Sequence, residues 1–198
     1  VRVKRTSPLF VEVTGSLSAD ADNNAFVQAN GDVRVDHVTA GGSVRLAAGG
    51  NITAARNDGT PAIRTGADLI LLAGNGSIGT ASNGVDAASP LVVEIGGKLL
   101  SASAGQNALL QQINGDFTVG SVFAGGAVQL DARDGNLLSY LDVVAVDGRD
   151  VRLTAQGDIG GLRAATTGID SPMRVRSHGQ LDGSAGGDAW IVSDLDLS

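Results

Sequence analysis

Few side chains in this 198-residue chain offer chemistry, and most of those are oxygens. There is no Cys, so disulfides and thiolate metal sites are excluded, and His37 and His178 are the only imidazoles. Those two lie about seven strand repeats apart on the periodicity described below, so a Ser/His/Asp set would have to draw on unrelated parts of the chain. A zinc site needs three or four nitrogen, sulfur or carboxylate ligands around one point, which two distant imidazoles do not favour. Asp20, Asp22, Asn23 and Asn24 crowd into one turn of the kind calcium prefers. The equivalent turn in the second half reads Ala102-Ser103-Ala104-Gly105-Gln106-Asn107, without an acid, and the third runs Asp182 to Asp188. The expectation is a solvated turn. Asp131-Arg133-Asp134 and Asp147-Arg149-Asp150-Arg152 hold the carboxylates and guanidinium groups that a polysaccharide lyase or hydrolase would need. In the first half Asp131, Arg133 and Asp134 correspond to Ala47, Gly49 and Gly50, as drifting surface positions would. Salt-bridged faces are the expectation. No catalytic, cofactor-binding or metal-binding residue is assigned, no cofactor is expected, and the chain is read as not an enzyme.

The elements that carry these residues follow from composition and repetition. The chain has 29 Gly. Only Glu12 and Glu94 are glutamates, so 19 of the 21 acids are Asp, and only Lys4 and Lys98 are lysines. Asp and Gly favour caps and turns over helix interiors, which excludes a helical bundle. Apolar residues make up 42%, which argues against disorder, but only six are aromatic, so an aliphatic, narrow interior is expected. The formal charge is −7 without a basic stretch, so nucleic acid is a poor partner.

An internal repeat organises the chain. Ser7-Pro8-Leu9-Phe10-Val11-Glu12-Val13 returns as Ser89-Pro90-Leu91-Val92-Val93-Glu94-Ile95, and again as Ser171-Pro172-Met173-Arg174-Val175-Arg176-Ser177. Both steps are 82 residues, giving about two and a third copies over one segment, 1–198: units 7–88, 89–170 and a partial 171–198. Within a unit, divisions near Ser7, Ala25, Gly42, Gly66 and Ser89 make four blocks of 17 to 24 residues, each with an alternating strand such as Val44-Arg45-Leu46 or Val151-Arg152-Leu153. Such spacing, without hairpin reversals, predicts an all-β parallel β-helix (a β-solenoid) of roughly ten coils, each of three short strands and three bends. Gly at the bends is expected to supply positive φ. Asn51, Ser77, Asn136 and Asp158 precede an apolar residue at matched block ends, and are predicted to be corner residues whose side chains satisfy backbone groups. Ile70 and Leu72 break the alternation of Leu69-Ile70-Leu71-Leu72, which predicts packing under a neighbouring loop or a lateral contact. Val1-Arg2-Val3-Lys4 at one end, and Leu195 and Leu197 at the other, suggest a piece of a longer rod with further coils beyond both ends.

The strands Gly31-Asp32-Val33-Arg34-Val35 and Gly41-Gly42-Ser43-Val44-Arg45-Leu46-Ala47-Ala48, with the block ends Gly76-Ser77-Ile78-Gly79-Thr80 and Gly157-Asp158-Ile159-Gly160 before Ser-Pro, resemble the repeats of filamentous haemagglutinin-like and leukotoxin-type filamentous adhesins. That resemblance covers essentially the whole chain. It implies a right-handed parallel β-helix acting as the structural or adhesive rod of a large bacterial exoprotein, exported through an outer-membrane transporter and found secreted or at the cell surface. Its partners would be adjacent coils of the same chain and a surface receptor or glycan. The alternatives are a polysaccharide-degrading β-helix enzyme, or an autotransporter passenger or phage tail-spike segment.

Overall fold

The computed structural model describes residues 8–81, 88–96, 99–162 and 170–194. Among them there is no helix; the chain is all β, and two parallel sheets hold most of its strands. The chain ends Val1-Arg2-Val3-Lys4, Leu195 and Leu197 fall outside the described residues. The first sheet contains β1 (Leu9–Val11), β3 (Ala25–Ala29), β5 (Val44–Ala48), β8 (Leu69–Ala73), β12 (Leu99–Ala104), β14 (Phe117–Ala124), β17 (Val144–Gly148), β21 (Met173–Ser177) and β23 (Ile191–Ser193), in that order. The second contains β2 (Leu17–Ala21), β4 (Val33–Ala40), β7 (Ile63–Thr65), β11 (Leu91–Ile95), β13 (Ala108–Gln112), β15 (Val128–Ala132), β18 (Val151–Ala155) and β22 (Leu181–Ala185). The chain passes alternately between the two, and each strand lies parallel to the strand one circuit earlier.

Alternating residues make this arrangement hold. Val27, Leu46, Leu71, Ala102, Val122, Val146 and Val175 are successive register partners in the first sheet, and all are buried. Leu91, Leu110, Leu130 and Leu153 form a similar column in the second. Each buried aliphatic side chain contributes about 1.5–3 kcal/mol relative to exposure. Of the four Phe only Phe117 is buried, while Phe10 and Phe123, with Tyr140 and Trp190, are exposed. The interior is therefore the aliphatic one that the scarcity of rings predicts.

Three details differ from the sequence expectation. The third strand of a circuit is vestigial and has no fixed side: β6 (Ile52–Ala54) extends the second sheet beside β4, β16 (Leu137–Ser139) extends the first beside β14, and single bridges join Ile52, Ile78 and Ala108 at one crossing and Leu137, Ile159 and Ala189 at the opposite one. Two antiparallel ribbons interrupt the parallel winding: β9 (Thr80–Ala81) with β10 (Ala88–Ser89), and β19 (Gly161–Leu162) with β20 (Asp170–Ser171). Among the described residues the two paths hold nine and eight strands, where the sequence suggests roughly ten coils over the whole chain. The four blocks of a unit are not four circuits: the last leaves β8 in the first sheet, passes the ribbon and enters β11 in the second, which is half a circuit. Circuit length varies accordingly, with Ala21 beside Ala40, Ala40 beside Thr65, and Thr65 beside Ile95.

Candidate functional site

Turn residues carry the most regular polar geometry. The Asp32 side chain accepts the Asn51 N–H at 2.7 Å, Asn51 accepts the Ser77 N–H at 2.9 Å, Ser77 accepts the Asn107 N–H at 3.2 Å, and Asn107 accepts the Ala127 N–H at 2.8 Å. In the second unit Asp116 accepts from Asn136 at 3.0 Å, Asn136 from Asp158 at 2.7 Å, and Asp158 from Asp188 at 2.8 Å. Asn51, Ser77, Asn136 and Asp158 are thus corner residues satisfying backbone groups, one circuit on rather than within their own turn. No described residue other than Gly has positive φ, so these Asn and Asp serve as acceptors and not as left-handed turn formers. Most of the corner glycines are needed for a different reason than φ. A Cβ on Gly66 would lie 2.4 Å from the Gly41 carbonyl oxygen, and one on Gly41 would lie 2.3 Å from that of Asp22. Circuits stack so closely at that corner that only hydrogen fits. Positive φ is confined to six described glycines, including the matched pair Gly79 and Gly160 that leads into the two ribbons.

The outward charged residues pair between neighbouring strands. Arg64 meets Glu94 at 2.9 Å, and Asn114 adds a hydrogen bond to Glu94; Arg64, ahead of Asn114, holds the Glu94 carboxyl below its usual range. Arg176 lies 3.3 Å from Asp147, Arg152 lies 3.6 Å from Asp182, and Arg174 bridges Asp142 and Asp194. The Gln180 N–H, and then the neighbouring Arg149, lower the pKa of Asp150. Gln111 donates to Asp131 at 2.6 Å. Of the acidic and basic residues that sequence singled out as enzyme-like, Asp131, Asp147 and Arg152 are thereby engaged in strand-to-strand pairs and Arg149 and Asp150 in a turn, and only Asp150 and Arg152 share a small cleft, with Asp182.

Both imidazoles also meet acids. His178 Nε2 lies 3.3 Å from Asp147. His37 Nδ1 lies 3.2 Å from Asp36 and its Nε2 lies 3.4 Å from Asp20, which raises the His37 pKa, Asp36 contributing most. Ser18 donates to the same Asp36 oxygen. The Ser18 hydroxyl therefore bonds the carboxylate and not the imidazole, and both His37 ring nitrogens face carboxylates, so this cluster does not set the hydroxyl against the imidazole as a nucleophile and its base. Because the ring's two nitrogens point apart, Asp20 and Asp36 do not converge on one ion. In the Asp20–Asn24 turn, Asn24 is committed to the Ser43 N–H at 2.8 Å. Among the described residues no group of three or more His, Asp or Glu is placed to hold a metal ion.

A cleft of about 420 Å³ opens between Val11–Thr14 and Ala29–Asp32, with Glu12 and Asp32 on its walls, but Asp32 is already bonded to Asn51. Ile70 and Leu72 point outward and are half-buried; their flanking register partners are Arg45, Ala47, Ser101 and Ser103. One structural residue escaped the sequence reading. Gln112 is fully buried on the inner face, where its side chain accepts the Ile95 N–H and donates to the carbonyls of Ile95 and Asn114. The available signal was a lone amide at an inward position of Leu110-Gln111-Gln112.

Comparison with protein-family models, with curated proteins and with solved structures finds no match to this chain.

Proposed function

We propose that this chain is a segment of a right-handed parallel β-helix that forms the structural and adhesive rod of a large secreted or surface-attached bacterial adhesin. Its partners on this reading are further coils of the same longer chain, an outer-membrane transporter during export, and a surface receptor or glycan. The observation that carries the reading is where the polar groups go. Corner oxygens hold the next circuit's N–H groups, and outward acids hold outward Arg side chains on neighbouring strands. A chain that uses its polar side chains to stack circuits is built for length. The 82-residue repeat and the resemblance to filamentous adhesin repeats support the same reading.

The competing function is a β-helix enzyme acting on acidic polysaccharide, favoured only by the carboxylates and arginines of 131–152. Two measurements separate the readings. Beads coated with the purified chain are expected to attach saturably to cell or glycan surfaces, competed by free chain. Incubation with polyuronates is expected to release no new reducing or unsaturated ends; turnover there, without attachment, overturns the rod-adhesin reading.

A further inference from the structure

The repeat and the winding are out of phase by half a circuit. Equivalent strands of successive units lie in opposite sheets: β1 is in the first sheet, β11 in the second and β21 in the first again. The same exchange holds for β5 and β15, for β4 and β14, and for β8 and β18. From β1 to β11 the chain passes through β2, β3, β4, β5, β7 and β8, and from β11 to β21 through β12, β13, β14, β15, β17 and β18. Each path makes seven crossings between sheets, an odd number. The corner ladders follow. The one begun at Asp32 runs where the chain leaves the first sheet for the second, and the one begun at Asp116 where it returns. The pair Arg64–Glu94 in the second sheet has its counterpart, Asp147–Arg176, in the first, with the charges exchanged.

We infer that the 82-residue unit is a half-turn phase element. Adding or removing one unit leaves every strand spliced in register, because equivalent strands share their alternation and corners. It also turns everything beyond the splice through half a revolution about the winding axis. A surface carried on one unit is therefore displayed on opposite sides in odd and even copies, and returns to the same side after two. This inference rests on the solenoid reading of the fold.

The test removes residues 89–170, joining Ala88 to Ser171, in a chain with no native Cys. Met173 and Val175 then take the places of Leu91 and Val93, and Arg176 takes that of Glu94 beside Arg64. Parallel neighbours about 4.8 Å apart lie within disulfide range. In the shortened chain, Arg64→Cys with Arg176→Cys is expected to close a disulfide under mild oxidation, read by mass spectrometry. If the distal strand instead keeps its original sheet it stacks on β8, and Leu72→Cys with Arg176→Cys closes, which overturns the inference. A second variant retains all native contacts up to the insertion by adding another copy of 89–170 after Asp170. There the expected closure joins Asp147→Cys of the original unit to Glu94→Cys of the inserted one, and closure instead to Thr154→Cys or Gln156→Cys, on or just after the second-sheet strand β18, overturns. The intact chain with Arg64→Cys and Glu94→Cys tests the winding itself. If that control fails, the solenoid reading falls; if it closes and neither variant forms its expected bridge, only the phase inference falls.

Discussion

Single residues at the corners do work that their types suggest but their local geometry alone does not explain. Asn51 accepts from Ser77 and donates to Asp32. Asn51→Ala removes both contacts and is expected to cost about 1–2 kcal/mol in denaturant unfolding, and Asn51→Asp, which keeps the acceptor but sets a second carboxylate against Asp32, is expected to lose stability as well. Gly66→Ala places a methyl against the Gly41 carbonyl and is expected to cost about 1–3 kcal/mol, although nothing in the flanking sequence marks Gly66 as tighter than Gly59, where a Cβ meets nothing. His37 supplies a pH dependence. Its folded pKa is raised, so its stabilising contribution is complete below the unfolded value of about 6.5 and is lost as pH rises through the folded pKa. Asp36, lowered chiefly by its hydrogen bond with His37, behaves oppositely: its contribution is present above its ordinary value and is lost in acid. An NMR titration should find the His37 midpoint above 6.5, and His37→Gln should flatten the stability profile on that side. That the corner residues satisfy backbone groups was legible from Asn51, Ser77, Asn136 and Asp158 standing before apolar residues. Which N–H they satisfy was not, because the donor lies 22 to 30 residues away.

At the scale of the strand, period-2 alternation set the inward and outward faces correctly wherever the pattern was clean. In Leu69-Ile70-Leu71-Leu72 every residue is apolar, and only the neighbouring register shows that Leu69 and Leu71 face inward, in line with Val44 and Leu46. Leu71→Ala is expected to cost about 2–5 kcal/mol, whereas Leu72→Ser, on the outer face, is expected to change unfolding by well under half of that. Gln112 is the strand-level exception. It completes the hydrogen bonding of Ile95, and Gln112→Leu is expected to destabilise despite its greater hydrophobicity, since it leaves the Ile95 N–H and carbonyl unpaired at about 1–3 kcal/mol per buried group. The strand-to-strand charges were individually legible as polar positions. Their pairing was not, because Arg64 and Glu94 are brought together by the length of the intervening circuit and its ribbon.

At the scale of the whole molecule, each circuit buries its apolar edge only against its neighbours, so stability should spread as in a one-dimensional array. Hydrogen exchange is expected to be slowest in the central strands β8, β12 and β14, and to quicken toward β1 and β23. Uniform protection along the chain would contradict that account. The eight strand-to-strand steps of the first sheet correspond to about 38 Å along the winding axis, which small-angle scattering can check.

The sequence by itself determined that the chain is all β, that its strands are parallel partners recurring in an 82-residue unit, that its interior is aliphatic, and that its turns are made by Gly, Asn, Asp and Ser. These are local properties: side-chain period, turn chemistry and self-similarity are written in adjacent residues. Only the tertiary structure decided that a unit contains an odd number of sheet crossings. It likewise decided that the corner glycines yield to a carbonyl of the previous circuit, and that Asp131, Asp147 and Arg152 each pair with a different neighbouring strand while Arg149 and Asp150 pair within one turn. A repeat length counts residues between equivalent strands but not turns of the winding, and circuits of unequal length hide that number until the strands are stacked.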